Sequence, residues 1–123
     1  MREIKFRGYN KKREKWYYGF LGKYNFLKEK DYYIDDEFCN NIVEEESIGQ
    51  FTGFIDKNCK EMYEGDIVIA FSRQQRYKIV WSERHGAWSL ESFDAKVIMP
   101  YLEGESYEVI GNIYEEKLKK EDK

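Results

Sequence analysis

Ile48-Gly49-Gln50-Phe51-Thr52-Gly53-Phe54-Ile55-Asp56-Lys57-Asn58-Cys59-Lys60-Glu61-Met62-Tyr63-Glu64-Gly65-Asp66-Ile67-Val68 is the stretch that decides how this chain folds. Within Glu46 to Ile55, side chains alternate as in a strand: Ile48, Gln50, Thr52 and Phe54 point one way, and Gly49, Phe51, Gly53 and Ile55 the other. Two glycines on one face predict another backbone or a bulky ring lying close over it. Asp56-Lys57-Asn58-Cys59 then has the residues of a chain reversal, with Asp in the first position and Asn where left-handed geometry is tolerated. Tyr63-Glu64-Gly65-Asp66 is a second turn. It leads into Ile67-Val68-Ile69-Ala70-Phe71, which is long enough for a strand and short for a helix. Glu64 and Asp66 can be read as a carboxylate pair or as turn residues bonding their own backbone, and the turn reading is preferred.

Working outward, strands are predicted at Glu3 to Tyr9, Trp16 to Leu21, Glu46 to Ile55, Asp66 to Ser72, Tyr77 to Ser82, Ala87 to Ser92 and Tyr107 to Tyr114. Ile4 and Phe6 alternate with Lys5 and Arg7, as in a strand with one wet face. Asn10 to Lys15 reads as a basic hairpin connection, and Glu83-Arg84-His85-Gly86 as a turn in which Gly86 supplies a left-handed position. Residues 22–45 read as a variable insertion, in which Glu29 to Val43 suits a short helix and its Tyr-Tyr-Ile segment suits a strand equally well. Residues 115–123 carry one leucine among charges and predict a frayed helical turn or a disordered tail.

Composition fits one domain. A chain of 123 residues buries about two-thirds of its unfolded surface. Aromatic residues make up 18% of it, with 11 Tyr and 8 Phe, which suits thin sheets and small barrels, where tyrosine keeps its hydroxyl at the wet edge. Met1 to Lys15 is charged throughout, with no apolar leader segment, and no run approaches the length of a membrane span, so the expectation is a cytoplasmic protein without a membrane partner. Cys39 and Cys59 lack CxxC spacing, and His85 is the only imidazole. The expectation is inert or buried thiols, with no metal, cofactor or disulfide framework.

Charge is unevenly placed although the net value is only -3. Residues 1–30 hold 10 basic and 3 acidic side chains, and residues 31–66 hold 2 basic and 11 acidic. Neutralisation within the fold, contact between subunits or with a partner, and a basic nucleic-acid surface all account for this. Bases stack on rings while Lys and Arg hold phosphates. The candidates for nucleic-acid contact are therefore Lys11, Lys12, Arg13 and Trp16, together with Arg76 and Lys78. The plain alternative is that the rings are core, since no defined nucleic-acid motif is present. There is no P-loop, dinucleotide-binding glycine pattern, zinc spacing or nucleophile elbow, and no motif places a nucleophile or carboxylate beside His85. No catalytic residue is assigned, and the chain is expected not to be an enzyme.

Three ordered blocks resemble the YopX family of phage and prophage proteins. They are Arg2-Glu3-Ile4-Lys5-Phe6-Arg7, the central stretch with Gly49, Gln50, Phe51, Thr52, Gly53, Asp56, Asn58, Tyr63, Glu64, Gly65 and Asp66, and Glu108-Val109-Ile110-Gly111-Asn112-Ile113-Tyr114. One departure stands out, because Cys59 occupies the position where the family has glycine. If that position needs positive φ, cysteine carries a strain of about 1 kcal/mol, or the left-handed residue moves to Asn58.

The resemblance implies a mainly β protein. It would have N-terminal strands over residues 1–45, a small SH3-like, partly open barrel over about 46–114, and a charged tail at 115–123. Tyr63, Ile67, Val68, Val80 and Ile110 are the predicted core, and Gly65 is predicted to have positive φ or a close backbone neighbour. The functional expectation is a phage or prophage accessory protein acting through host or phage protein contacts and self-association. A nucleic-acid-binding module is the alternative.

Overall fold

The structure is a computed structural model describing residues 3–26, 29–94, 98–101 and 106–121. It divides into two compact units, residues 1–53 and 54–123. Arg2, at the head of the first sequence block, and the last two residues of the tail lie outside the described residues.

The first unit is built from β1 (Phe6–Asn10), β2 (Lys15–Phe26), β3 (Glu29–Asp35), β4 (Asn40–Val43), a single 3-10 turn at Glu45–Ser47, and β5 (Gly49–Ile55), which carries the chain past the division. The strand order is β4-β3-β2-β1-β5, and the neighbours are antiparallel. Leu21 faces Ile34 and Tyr32 faces Val43 across the strands. Those side chains, with Tyr17, Phe6 and Ile48, form a small core on one side of the sheet. After β4 the chain returns to β1, where the Glu44 amide donates to the Tyr9 carbonyl at 2.8 Å and the Ser47 hydroxyl accepts from the Tyr9 amide at 2.8 Å.

Residues 22–45 are mostly strand where described, with a loop at residues 36–39 between β3 and β4. The Tyr-Tyr-Ile segment decided the outcome, because Tyr33 sits opposite Gly22 and its ring lies where a Cβ on Gly22 would be, 2.1 Å from Cζ. The ring covers the glycine and lets β2 run on to Phe26, beyond the Leu21 limit read from the sequence.

The second unit contains β6 (Glu61–Tyr63), β7 (Asp66–Ala70), β8 (Gln75–Ser82), β9 (Ala87–Ser92), β10 (Ile98–Pro100), β11 (Tyr107–Asn112) and α1 (Ile113–Glu121). β6 follows β5 in its sheet, and the other strands form an antiparallel sheet of order β10-β9-β8-β7-β11. Pro100 ends an outer strand, where the lack of an N–H does least harm. Among the described residues there is no closed barrel, because β10 and β11 remain the two edges. Met62, Val68, Ala70, Tyr77, Ile79, Trp88, Leu90 and Tyr107 form the core. Tyr101 stacks on Phe54 at 4.2 Å and approaches Tyr107 at 5.0 Å.

Tyr63, Ile67 and Val68 are buried as expected, whereas Val80 and Ile110 are not. Tyr77 and Ile79 take the inward positions of β8, so Val80 shares the parity of the half-exposed Lys78. Ile110 falls between Val109 and Gly111, where the register against β7 shifts, and it is 49% exposed. This is a bulge, in which the extra residue loses its place in the alternation.

The last predicted strand stops at Asn112. Asn112 Oδ1 accepts from the Glu115 amide at 2.8 Å, and its Nδ2 donates to Glu115 Oε1 at 3.1 Å. This reciprocal cap starts a nine-residue helix where a frayed turn or disordered tail was expected. Tyr114 is buried, and Glu115, Glu116, Lys119 and Lys120 match the helix dipole at its two ends.

Candidate functional site

The motif residues prove to be one another's hydrogen-bond partners. In the first unit Gly49 pairs with Arg7 and Gln50 with Phe6, the Phe51 amide donates to the Lys5 carbonyl at 2.7 Å, and Phe51 and Thr52 are buried. Gly53 has φ +90, and a Cβ built there meets nothing within 4 Å. Its glycine therefore serves backbone conformation, and the expected close overlay does not occur there.

In the second unit Asp56, only 5% exposed, anchors the turn. Its Oδ1 accepts from the Asn58 and Lys60 amides at 2.8 Å each, and its Oδ2 from the Val109 amide of β11 at 3.0 Å. Burial works to raise its pKa, but the Val109, Lys60 and Asn58 amides together outweigh burial and hold the carboxyl below the usual range. Cys59 has φ +63. The family's glycine position is left-handed here too, and the positive φ has not moved to Asn58.

The next turn is built in the same way. Asp66 is buried at 1% exposure and its Oδ2 accepts from the Tyr63 amide at 2.8 Å, as the turn reading expected. Gly65 has φ +91, its amide donates to the Ile79 carbonyl at 2.9 Å, and its carbonyl accepts from the Ile113 amide at 2.9 Å. Asn112 lies opposite Asp66 across β7 and β11, one residue beyond Gly111. Glu64 is half-buried beside this junction. The central and C-terminal blocks are therefore two sides of one junction.

The basic and aromatic candidates fall into two groups. Lys11, Lys12 and Arg13 are exposed in the β1–β2 turn, where the Arg13 amide donates to Asn10 Oδ1 and Arg13 Nη1 lies 3.3 Å from the Tyr17 hydroxyl. Trp16 packs at 5.1 Å against Tyr9, with the Arg7 guanidinium 4.9 Å from its ring. Arg76 and Lys78 belong to β8 in the second unit, and each is already paired, Arg76 with Glu116 and Lys78 with Glu91, both at 2.9 Å.

His85 has a neighbour that no motif announced, since Ser82 Oγ lies 2.8 Å from its Nδ1. Ser82 Oγ also receives the His85 amide at 3.3 Å, and Ser82 is buried. The hydroxyl closes the turn. Cys39 and Cys59 are both free and exposed, so of the expected inert or buried thiols the buried alternative does not hold.

A further feature escaped the sequence reading. In the first unit, Ile4, Tyr18 and Phe20 wall an open cleft of about 270 Å³ whose rim carries Asp35, Asp36 and Glu37. Ile4 is 60% and Phe20 59% exposed, and Phe38, next along the rim, is 93% exposed. Asp35 Oδ1 accepts from the Glu37 amide, and Asp36 Oδ1 from the Phe38 and Cys39 amides, at 2.9 to 3.0 Å. The Cys39 and Phe38 amides hold the Asp36 carboxyl below its usual pKa. Asp35-Asp36 followed by Asn40 was the available signal, being turn-forming composition around a phenylalanine.

No helix among the described residues is long and apolar enough to cross a membrane. No curated protein matches the sequence. The structure of protein EF1440 from Enterococcus faecalis is similar in fold, with a TM-score of 0.52 at 21% identity over 94% of this chain and 96% of that one. Residues 5–118 match the YopX protein family. The match spans all but the ends of the chain and includes the Asp56, Gly65 and Asn112 junction, so the chain belongs to the YopX family.

Proposed function

We propose that this protein is a phage or prophage accessory factor that works in the host cytoplasm through protein contacts and self-association, without catalysis. The observation that carries this reading is the apolar display of the first unit. Ile4, Tyr18 and Phe20 stand exposed around one cleft, and Phe38 is held out beside them by a turn with carboxylate hydrogen bonds. Exposed apolar side chains gathered on an ordered scaffold mark contact surfaces more often than scattered ones do. In this reading the second unit is the SH3-like scaffold, and its motif residues serve folding.

Light scattering of the full chain at low and high salt tests the proposal. The expected result is a mass above the monomer at low salt that falls as salt rises. A monomer mass at every salt and at micromolar concentrations contradicts it. Nucleic-acid binding is the second reading and rests on the exposed Lys11, Lys12 and Arg13 turn beside the Tyr9 and Trp16 rings. Salt-dependent retention of single-stranded or duplex nucleic acid by a monomer would favour it.

A further inference from the structure

We propose that the acidic, aromatic-walled cleft of the first unit receives the β1–β2 turn, Lys11 to Lys15, of a second copy of the chain. The inference rests on the self-association reading above and names its contact. The two surfaces are complementary. The cleft offers Asp35, Asp36 and Glu37 around Ile4, Tyr18 and Phe20, and the turn presents Lys11-Lys12-Arg13 followed by Lys15, all exposed.

Part of each side is left without a counter-charge. Among the described residues Lys12 and Arg13 form no ion pair, and neither do Asp35, Asp36 and Glu37, although Lys5, paired with Glu3 at 3.4 Å, lines the same cleft. Arg76 and Lys78 are paired, by contrast, which removes them as competitors for the cleft. Both surfaces are also ordered before they meet. Asn10 Oδ1 accepts the Arg13 amide, and Asp36 holds the rim, so little freedom is lost on docking.

Turn and cleft open at different ends of the hairpin within one chain. The turn follows the Asn10 and Lys15 pair, whereas the cleft is walled beside the Phe6 and Gly19 pair, at the other end of the same hairpin. Four residues of strand separate them, about 13 Å at the usual rise. Turn and cleft are different surfaces, so the association is head-to-tail, and one copy uses its turn while its neighbour uses its cleft. The cleft is open and slightly below the roughly 300–1,000 Å³ common for small-molecule sites, which suits long side chains entering from a protruding turn.

Two variants of the full chain test this by light scattering and sedimentation. Lys12→Glu with Arg13→Glu removes the turn and keeps the cleft; Glu37→Lys with Phe20→Ser removes the cleft and keeps the turn. Each is expected to weaken self-association about tenfold or more while melting like the wild type. Mixed together, they should recover a 1:1 complex that does not grow, because one turn and one cleft remain intact.

Wild-type-like assembly of both variants overturns this contact and leaves self-association standing. Dissociation of both without recovery on mixing overturns the head-to-tail pairing. A wild type that is monomeric at every salt removes the reading beneath it, as does a turn that holds single-stranded DNA with no self-association. If the double turn variant melts early, Lys12→Glu alone serves, since Lys12 is exposed and among the described residues its side chain forms no hydrogen bond or ion pair.

Discussion

Residues 54–123 enclose eight buried apolar side chains in one cluster, from Met62 to Tyr107, whereas residues 1–53 enclose three in theirs, Tyr17, Ile34 and Val43; both leave large apolar side chains in water, Ile4, Phe20 and Phe38 in the first and Ile55 and Trp81 among those of the second. At roughly 1.5–3 kcal/mol for each fully buried side chain, the difference is on the order of 10 kcal/mol, an upper estimate because denatured chains bury some surface too. Buried polar anchors follow the same division. Asp56, Asp66 and Asn112 each tie a turn or a helix start in the second unit with charge-assisted or capping hydrogen bonds. Carboxylates of the same type in the first unit, Asp35 and Asp36, shape a loop that displays a phenylalanine. The same hydrogen-bond chemistry closes a core in one unit and builds a surface in the other.

The largest test of this contrast is a charge placed in the second core. Val68 is fully buried in β7. Val68→Asp is expected to cost about 4 kcal/mol or more, because an ionised carboxylate there has no partner. Phe38→Asp in the first unit should leave the melting temperature within experimental scatter. A Val68→Asp variant that melts like the wild type would mean that the division between core and display is drawn in the wrong place.

Next comes Asp56, at about 3 kcal/mol for Asp56→Ala in a denaturant titration, since three amide donors lose an ionised acceptor in a buried turn. The sign of its pH dependence follows from the lowered pKa. A carboxylate depressed in the folded state contributes fully above the unfolded value of about 3.9, and the contribution disappears as pH falls through the folded value. The gap between wild type and Asp56→Ala should therefore be constant near neutrality and narrow in acid. A gap that widened in acid would show that the amides do not stabilise the charge.

Much of the second unit was legible because its residues obey local rules. The turn chemistry of Asp56 and Gly65 and the apolar run at Ile67 each specify what they become. The first unit was legible at β1 and at the start of β2. β3 and β4 were not, since Asp31-Tyr32-Tyr33-Ile34-Asp35 has neither clean alternation nor helical spacing, and only the partner across the sheet, Gly22 under the Tyr33 ring, settles it. Ile110 misled because a bulge leaves no mark in periodicity. The Asn112-x-x-Glu115 cap was readable but was overridden by the β-branched run before it. Beyond the turn composition at Asp35-Asp36, the cleft could not be read, because Ile4, Phe20 and Asp35 are far apart in sequence and only the β1, β2 and β3 pairing brings them together.

Gly65 and Gly22 sharpen the comparison at a smaller scale. Gly65 combines φ +91 with backbone bonds on both sides, so Gly65→Val puts a β-branched residue where its backbone is strained, at about 2–3 kcal/mol. The sequence reading expects Gly22→Val, in the variable insertion, to damage folding less than Gly65→Val. The structure expects about 1–2 kcal/mol, because the Tyr33 ring must swing aside. Thermal melts of the two variants check both the order and the magnitudes, and a Gly22→Val protein indistinguishable from wild type would show that the ring moves freely.

The smallest effect concerns Cys59, where the family resemblance leads one to expect glycine. Cys59 is exposed and left-handed at φ +63, so its side chain contributes no packing while its backbone carries a strain of about 1–2 kcal/mol. Cys59→Gly removes that strain but frees the unfolded chain, which takes back about 0.5–1 kcal/mol. The net expectation is stabilisation by about 0.5 kcal/mol, with no change in self-association, because the substitution lies in the second unit and alters no charge. Cys59→Ala keeps the strain and should leave stability unchanged, which separates the backbone effect from any effect of the thiol. If Gly and Ala raise the melting temperature equally, the thiol is responsible and the left-handed turn carries no strain worth relieving.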